Sequence, residues 1–243
     1  MQGKHYAEIA AYYEKWCEGD GDYLPSGDFY LDFLSKGGGV VAELGVGTGR
    51  IALPLSKVSG IRVYGVDNSP AMLAQCEAGM APGMHLKLIQ SDFQAFMLPE
   101  AADTIAMPFR TIGHILTDEG LAALFAQVRR NLKPGGRFVF DHYMFDKDMA
   151  MAHNGKAAVM YEDEDTRIVN RDYVDLRSKT MRCTVEVNGV VAEDFDFRWI
   201  EPDTIRALLP RCGFVCEKLY GDFDYADWDA WSPNQIWVLR KSE

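Results

Sequence analysis

The segment Val40–Ser56, VVAELGVGTGRIALPLS, joins a short apolar run to an acid, three glycines at alternate positions and an apolar stretch with helical spacing. The first run predicts a buried strand over residues 40–44, and the last predicts a helix over residues 50–58. Glycines allow tight turns and let a ligand touch the main chain without a Cβ clash. Because ligands of open α/β sheets bind at the carboxyl ends of the strands, the segment predicts a ligand-binding loop.

Composition narrows the class of protein. The chain has 243 residues, 48% of them hydrophobic, which fits one large domain or one domain with an insertion. The net charge of −11 argues against nucleic acid as a partner, since such proteins usually carry a basic face. We find no signal peptide and no apolar run of membrane-spanning length, so we expect a cytoplasmic protein without a membrane partner. The five cysteines, with no CxxC pair, fit reduced thiols.

Strand and helix patterns alternate along most of the chain. The predicted helices are residues 4–17, 26–35 (with Ser26 as N-cap), 50–58, 69–78 (with Ser69 as N-cap), 118–132 and 202–211. The predicted strands are residues 40–44, 61–66, 85–90, 103–107, 137–140, 214–220 and 235–240. This alternation predicts an α/β fold: a Rossmann-like, doubly wound, mostly parallel sheet of about seven strands.

The alternation stops after residue 145. Residues 146–200 hold three or four short runs of period two, and the VNGV sequence at 187–190 is typical of a two-residue hairpin turn. We therefore expect an antiparallel β insertion late in the chain. Residues 180–187 alternate apolar and polar side chains, so one face of this strand is apolar and should pack against another surface. The insertion would therefore be a substrate platform, a homodimer interface, or a cap over the core.

The acids at the strand ends indicate what the glycine loop binds. The loop reads GxGxG rather than the dinucleotide pattern GxGxxG, with Arg50 in place of the last glycine, which favours a nucleoside over a pyrophosphate. Asp67 ends the next strand, where it would accept hydrogen bonds from a ribose diol or serve as a helix N-terminal charge. Asp92 follows the third strand and could accept from an adenine amino group, with Phe93 offering its main-chain N–H. With Glu43, three acids lie at three consecutive strand ends.

With these residues in place, the sequence resembles the class I S-adenosylmethionine-dependent methyltransferases. The matching motifs are ELGVGTGR at 43–50, VYGVDNSPAML at 63–73, SDF at 91–93 and LKPGGRFVFD at 132–141. The resemblance covers about residues 10–145, the last helix and the last two strands. It implies the fold, S-adenosylmethionine as cofactor, S-adenosylhomocysteine as product, and methyl transfer. Small-molecule enzymes, including aminosugar N,N-dimethyltransferases, are the most similar subgroup.

The resemblance also implies roles for residues and segments. Glu43, Gly45 and Gly47 would hold the methionine part, Asp67 the ribose, and Asp92 with Phe93 the adenine. The full expected cofactor-binding set is Glu43, Gly45, Gly47, Gly49, Arg50, Asp67, Asn68, Met72, Asp92, Phe93 and Met107. The expected division is 1–36 as an N-terminal helical lid, 37–145 as the cofactor-binding core, 146–200 as the insertion and 201–243 as completion of the core sheet.

The residues expected to position an acceptor are Tyr13, Arg110, His114 and His142. Tyr13 would present an aromatic face to the cationic sulfur, or belong to a helix face packed on the core. Arg110 would fix an acceptor or form a surface salt bridge, and His114 would act on the acceptor or simply pack. Asp141, His142 and Tyr143 follow the fifth strand, and one of the three is expected to touch substrate.

The expected activity is methyl transfer to a nitrogen of a small molecule by in-line displacement. A small-molecule O-methyltransferase is the first alternative, and its metal-dependent form needs several converging carboxylates. Asp141 has no obvious carboxylate partner, so no metal is expected. The second alternative is a non-catalytic regulatory module that binds S-adenosylmethionine.

Overall fold

The computed structural model describes residues 6–242, which form a seven-stranded sheet, a four-stranded sheet and their covering helices. The helices are α1 (Tyr13–Glu18), α2 (Tyr23–Gly37), α3 (Ala52–Leu55), α4 (Pro70–Ala78), α5 (Asp118–Asn131), α6 (Lys147–His153) and α7 (Pro202–Cys212). The strands are β1 (Gly39–Leu44), β2 (Ile61–Asp67), β3 (Leu86–Gln90), β4 (Ala102–Met107), β5 (Leu132–Tyr143), β6 (Ala157–Glu162), β7 (Arg167–Asp175), β8 (Thr180–Val187), β9 (Val190–Arg198), β10 (Phe214–Tyr220) and β11 (Asn234–Lys241). Ala10–Tyr12 and Thr111–His114 are short 3₁₀ helices.

The large sheet has the strand order β10-β11-β5-β4-β1-β2-β3. Strands β1 to β5 pair in parallel, and β11 runs antiparallel to both β5 and β10. The order reverses at β1, which has β2 on one side and β4 on the other. Such a switch point opens a crevice at the carboxyl ends of the strands. The predicted fold, including its strand number and late insertion, is confirmed.

The central strands are buried on both faces, as parallel strands covered by helices must be. Neighbouring residues such as Ala106 and Met107 belong to different core clusters because successive side chains point to opposite faces. Helices α5 and α7 cover one face, while α2, α3 and α4 cover the other. Their packing fixes the strand ends where the crevice opens. Among residues 6–242, no helix combines the length and apolarity that a membrane crossing needs.

Some local boundaries differ from the prediction. Ser26 is not an N-cap, because α2 begins at Tyr23 and Ser26 is fully buried inside the helix. The helix predicted over 50–58 shrinks to α3, and beyond Pro54 the chain continues with bonds such as Val58 N–H to Leu55 O at 3.0 Å. These i to i−3 bonds make turns rather than α-helix.

Other predicted element boundaries are confirmed, or differ by a longer strand and a shorter helix. Ser69 caps α4 as predicted, with its Oγ accepting from the Met72 N–H at 3.4 Å, and Pro70 occupies the first helical position. The fifth strand is longer than predicted and starts at Leu132, directly after α5. The first predicted helix reduces to Ala10–Tyr12 and α1, and its residues 4 and 5 lie outside the described part of the chain.

The insertion forms the four-stranded antiparallel sheet β6-β7-β8-β9. Asn188 and Gly189 both have left-handed φ angles, 52° and 79°, which make the predicted two-residue hairpin turn. Cys183, Val185 and Val187 form the buried face of β8, as the alternation predicted. They pack in one cluster with the N-terminal segment, so this face covers residues of the same chain.

A buried carboxylate at the end of β5 ties three segments together. Asp141 is fully buried and accepts from the Tyr30 hydroxyl at 2.7 Å and from the backbone N–H groups of Phe109 and Arg110 at 2.7 and 2.9 Å. Phe109 and Arg110 have φ angles of 53° and 61°, a conformation that costs non-glycine residues about 1–3 kcal/mol each. Burial raises the pKa of Asp141, while the bonds from Tyr30 and Arg110 oppose the rise. The carboxylate therefore holds a strained loop in place.

We predict that Tyr30→Phe lowers the free energy of unfolding by about 1.5–3 kcal/mol, since it removes a hydrogen bond to a buried charged group. Urea unfolding measures the change. Tyr173→Phe, at a position 50% exposed, is the control and should change stability by less than about 0.5 kcal/mol. Equal stability of the two variants would contradict the role given to the Asp141 bond.

Candidate functional site

A cavity of about 630 Å³ opens where the strand order reverses and extends beneath the insertion. Its volume is within the range of small-molecule sites. One end, here called the loop end, includes Gly47, Asp67 and Asp92. The other, the insertion end, includes Tyr143 and Asp172. The N-terminal segment lines the cavity between them. The cavity thus joins the predicted ligand-binding loop to the insertion, for which a substrate platform, a homodimer interface and a cap over the core were the expected alternatives.

The glycines of the loop have different reasons to be glycine. Gly45 and Gly47 have φ angles of 73° and 51°, which L-residues rarely adopt. A Cβ on Gly45 would lie 2.6 Å from Thr111 Cγ2, whereas a Cβ on Gly47 would have no neighbour nearer than 4.0 Å. Gly45 is therefore required by packing. Gly47 faces the cavity and keeps its main chain open to a ligand.

Asp67 connects the glycine loop to the start of α4. It is 8% exposed, and its two carboxylate oxygens accept from the N–H groups of Gly47 and Ser69, both at 2.9 Å. Burial raises its pKa, and the bonds from Ser69 and Gly47 oppose the rise. A carboxylate has about four acceptor positions, so two remain for a ligand in the cavity. Asp67 therefore serves the helix N-terminus and also faces the cavity.

Glu43 is buried beneath the loop. Its Oε2 has no hydrogen-bond partner within residues 6–242, and burial raises its pKa to about 8 while Arg50 opposes the rise. A buried carboxylate oxygen without a partner beside a glycine loop is one that the donor group of a bound ligand would satisfy. The open main chain of Gly47 and the spare acceptors of Asp67 make the loop end suitable for a nucleoside, whereas Glu43 lies behind the lining.

Most of the expected cofactor residues line the cavity. Those that do are Gly45, Gly47, Asp67, Asn68, Met72, Asp92 and Phe93. Glu43, Gly49, Arg50 and Met107 lie outside its lining. Arg50 instead donates to the Tyr23 carbonyl at 2.5 Å and stacks 4.2 Å above the Tyr23 ring, while Met107 is fully buried core. The roles of these four residues toward a cofactor stay predictions.

Aromatic residues of the N-terminal segment cover the cavity. Tyr13 contacts the Tyr6 and Trp16 rings edge-to-face, with centroids 5.9 and 5.7 Å apart, and all three line the cavity. The Tyr6 hydroxyl lies 2.9 Å from His114 Nε2, and its backbone N–H donates to Glu193 Oε2 at 2.5 Å. The segment is thus attached both to the loop after β4 and to the insertion.

Arg110 fastens the link between α1 and α2. Its guanidinium donates to Asp20 Oδ2 at 2.6 Å and also pairs with Asp22. The Arg110 side chain is 19% exposed, so these pairs are partly buried rather than at the surface. Both terminal nitrogens of Arg110 donate to carboxylates, and Arg110 also lines the cavity. Arg110 with Asp20 and Asp22 is here called the clasp. A role in fixing an acceptor stays a prediction.

The two histidines have different surroundings. His114 lines the cavity, with its ring 5.2 Å from both Phe195 and Phe197. His142 is 1% exposed and lies outside the lining, and burial lowers its pKa to about 3, which keeps it neutral. Tyr143 lines the cavity instead, because successive residues of β5 point to opposite faces. Asp141, His142 and Tyr143 belong to the end of β5 rather than following it, and of the three Tyr143 lines the cavity.

Sequence analysis missed the polar residues of the insertion. Asn170 and Asp172 of β7 line the cavity with Phe195 and Phe197 of β9. Trp16 Nε1 donates to Asn170 Oδ1 at 2.8 Å, which ties α1 to the insertion. The alternation of residues along β7 is visible in the sequence. The pairing of β7 with β8, which places Asn170 and Asp172 on the cavity face, is not. Within residues 6–242, no three His, Cys, Asp or Glu side chains are grouped to hold a metal ion.

Known methyltransferases are similar in sequence to part of this chain. Residues 41–136 match the family model described as "Methyltransferase domain". An uncharacterized methyltransferase of Bacillus cytotoxicus is 31% identical over 147 residues, which are 60% of this chain and 61% of that protein. One of Geobacillus is 34% identical over 141 residues, 56% of this chain and 64% of that protein. The matches thus span less than two thirds of these relatives.

Solved structures have the same fold over nearly the whole chain. An S-adenosylmethionine-dependent methyltransferase from Clostridium acetobutylicum has a TM-score of 0.81 at 17% identity, over 98% of this chain and 99% of that one. The CcbJ methyltransferase from Streptomyces caelestis has a TM-score of 0.78 at 23% identity, over 90% of this chain and 96% of that one. The sugar N-methyltransferase KedS8 from Streptoalloteichus has a TM-score of 0.74 at 19% identity, over 100% of this chain and 96% of that one. The chain therefore has the fold of the class I S-adenosylmethionine-dependent methyltransferases, and its residues 41–136 match the model of a methyltransferase domain.

Proposed function

We propose that this chain is an S-adenosylmethionine-dependent methyltransferase acting on a nitrogen of a small molecule. The observation that carries the proposal is the continuous cavity, which leads from the glycine loop and strand-end acids to the inner face of the insertion. A two-substrate transfer needs both ligands in one enclosed space, with the reacting atoms in contact. The family match and the relatives named as methyltransferases support the same reaction.

In this proposal the loop end holds the cofactor. Gly45, Gly47 and Glu43 receive the methionine part, Asp67 the ribose diol, and Asp92 with its neighbour Phe93 the adenine. S-adenosylmethionine supplies a methyl group already activated on a sulfonium, so the protein needs no group to activate the donor. The chain itself binds the cofactor and the acceptor, orients them toward each other and excludes water from the space between them. Correct alignment alone can lower a barrier by about 7–11 kcal/mol.

The lid and the clasp enclose the reacting groups. Tyr6, Tyr13 and Trp16 form an aromatic surface over the cavity, a suitable neighbour for the cationic sulfur. Arg110 holds this lid closed through its pairs with Asp20 and Asp22. The insertion then serves as the acceptor platform, with its use in a homodimer as a second proposal. A cytoplasmic location and the absence of a nucleic acid partner remain part of the proposal.

The charge of the cavity favours nitrogen over oxygen. The acids that line it are Asp20, Asp67, Asp92, Asp172, Asp194 and Asp196, but Asp194 and Asp196 are exposed neighbours of Phe195 on β9 and point to the other face of the insertion sheet. Arg110 is the one lysine or arginine among the lining residues, and it pairs with Asp20, so Asp67, Asp92 and Asp172 leave the cavity with excess negative charge. Such a surface attracts a cationic amine more strongly than a neutral alcohol. KedS8, with the same fold, is named as a sugar N-methyltransferase. An O-methyltransferase and a non-catalytic cofactor-binding module are the alternatives, which acceptor assays with and without a chelator would separate.

We predict that Asp67→Ala weakens S-adenosylmethionine binding at least about a hundredfold, since two charge-assisted hydrogen bonds of about 1.5–3 kcal/mol each are lost. Isothermal titration calorimetry measures the affinity. Asp203→Ala is the matched control, because Asp203 is 90% exposed on α7 and lies outside the cavity lining. An Asp67→Ala affinity within threefold of the control would contradict the ribose assignment.

The two glycines should respond differently to alanine. Gly45→Ala must displace Thr111 and also adopt a left-handed φ, so we expect overpacking of about 1–3 kcal/mol in addition to backbone strain of about 1–2 kcal/mol. Gly47→Ala meets no protein atom and carries only the left-handed strain of about 1–2 kcal/mol, yet its methyl group faces the ligand space. After correction for stability, Gly47→Ala should lose at least tenfold in S-adenosylmethionine affinity. Wild-type affinity in folded Gly47→Ala would show that no ligand approaches the loop there.

A further inference from the structure

Two shielded polar atoms at the insertion end have no hydrogen-bond partner within residues 6–242. They are the Tyr143 hydroxyl oxygen and Asp172 Oδ1, and both residues line the cavity. More than nine in ten buried polar groups in proteins find a partner, so a pair without one in the same cavity calls for an explanation. A bound ligand would supply the missing partners.

The strand register places Asp172 on the cavity side of the insertion. Asp172 of β7 lies directly opposite Cys183 of β8, and Cys183 lies opposite Phe195 of β9. Directly opposed residues share one face of a sheet, so the carboxylate lies beside an aromatic wall. Tyr143 approaches from the end of β5, with its ring nearly parallel to that of Phe197 at 6.2 Å. The two polar groups therefore reach the cavity from different sheets.

Asp172 differs from Asp194 and Asp196 in the face of the sheet that it occupies, because these two acids flank Phe195 on β9 and point to the opposite face from Asp172. Asp194 is paired with Arg182 at 2.5 Å, and the guanidinium of Arg110 is taken by Asp20 and Asp22. No lysine or arginine among residues 6–242 forms an ion pair with Asp172. Burial raises the pKa of Asp172, with the neighbouring Cys183 thiol opposing the rise. The partly buried carboxylate of Asp172 thus has no cationic partner to offset the cost of its burial.

We propose that Asp172 and Tyr143 bind the amino group of the methyl acceptor, and that the acceptor is a small molecule with a basic amine that enters as its ammonium form. Asp172 accepts one N–H of the ammonium and the Tyr143 hydroxyl accepts another. The aromatic rings beside them receive the apolar body of the acceptor. This inference rests on the proposed function and assigns its acceptor-binding residues.

The same geometry accounts for the proton that the amine must lose. One N–H bond breaks, the proton passes to the Asp172 carboxylate, and the electron pair stays on nitrogen. That nitrogen then forms the N–C bond while the S–C bond of the donor breaks, with its electrons left on sulfur. A carboxyl group in a shielded site is suited to take such a proton.

Matched ligand pairs test the assignment without knowledge of the natural acceptor. With the protein saturated in S-adenosylhomocysteine, ligand-observed NMR measures the affinities of cyclohexylamine against cyclohexanol and of benzylamine against benzyl alcohol. We expect the wild type to prefer the amines by about tenfold or more, the effect of one charge-assisted contact. Asp172→Asn should lose this preference, and Tyr143→Phe should weaken amine binding about fivefold.

The control is Asp165→Asn, an exposed acid of the same insertion outside the cavity lining, which should keep the preference. Equal binding of amines and alcohols by the wild type, or no binding of either, overturns the inference. So does a preference that survives in folded Asp172→Asn. If Asp172→Asn does not fold, Tyr143→Phe decides, and amine binding as tight as in the wild type then overturns the inference. Calorimetry with S-adenosylhomocysteine alone tests the proposed function, so the two failures are distinguishable.

Discussion

The buried carboxylate of Asp141 is the interaction on which the arrangement around the cavity depends. It accepts the backbone N–H groups of Phe109 and Arg110, and so keeps these two non-glycine residues in a left-handed conformation. That conformation directs the Arg110 side chain to Asp20 and Asp22, which hold the connection between α1 and α2. The buried Asp141 carboxylate thus helps to fix the connection between α1 and α2, which in our proposal belongs to the lid over the cavity. The strain is local, and the surrounding hydrogen bonds sustain it.

The cavity is built from two kinds of structure. The loop end depends on short-range geometry, since a strand, a glycine turn and the acid at the next strand end lie within about one βα unit. The insertion end depends on contacts between distant parts of the chain: Tyr6 with Glu193, and Trp16 with Asn170. In our proposal this division separates cofactor binding, shared across the fold, from acceptor choice, which belongs to the insertion. The fold itself hosts many acceptors, so the acceptor must be argued from the site.

The sequence predicted what local chemistry determines. The α/β alternation, the glycine loop, the Ser69 cap and the Asn188-Gly189 turn all follow from nearby residues, and the structure agrees. It did not predict that Arg110 would be occupied by two aspartates, because those partners lie about ninety positions away. The sequence does not separate His142 from Tyr143, because it does not reveal which side of β5 faces the crevice. Asp172 went unnoticed because its position depends on the register of β7 against β8.

A crystal structure with S-adenosylhomocysteine tests the central claim most directly, namely that one cavity holds the cofactor at the loop end and the acceptor at the insertion end. We expect ribose hydroxyls within hydrogen-bond distance of Asp67 and the adenine between Asp92 and Phe93. The sulfur should lie toward the space between Tyr13, His114 and Tyr143. A nucleoside bound elsewhere would contradict the claim, as would a sulfur facing away from the insertion.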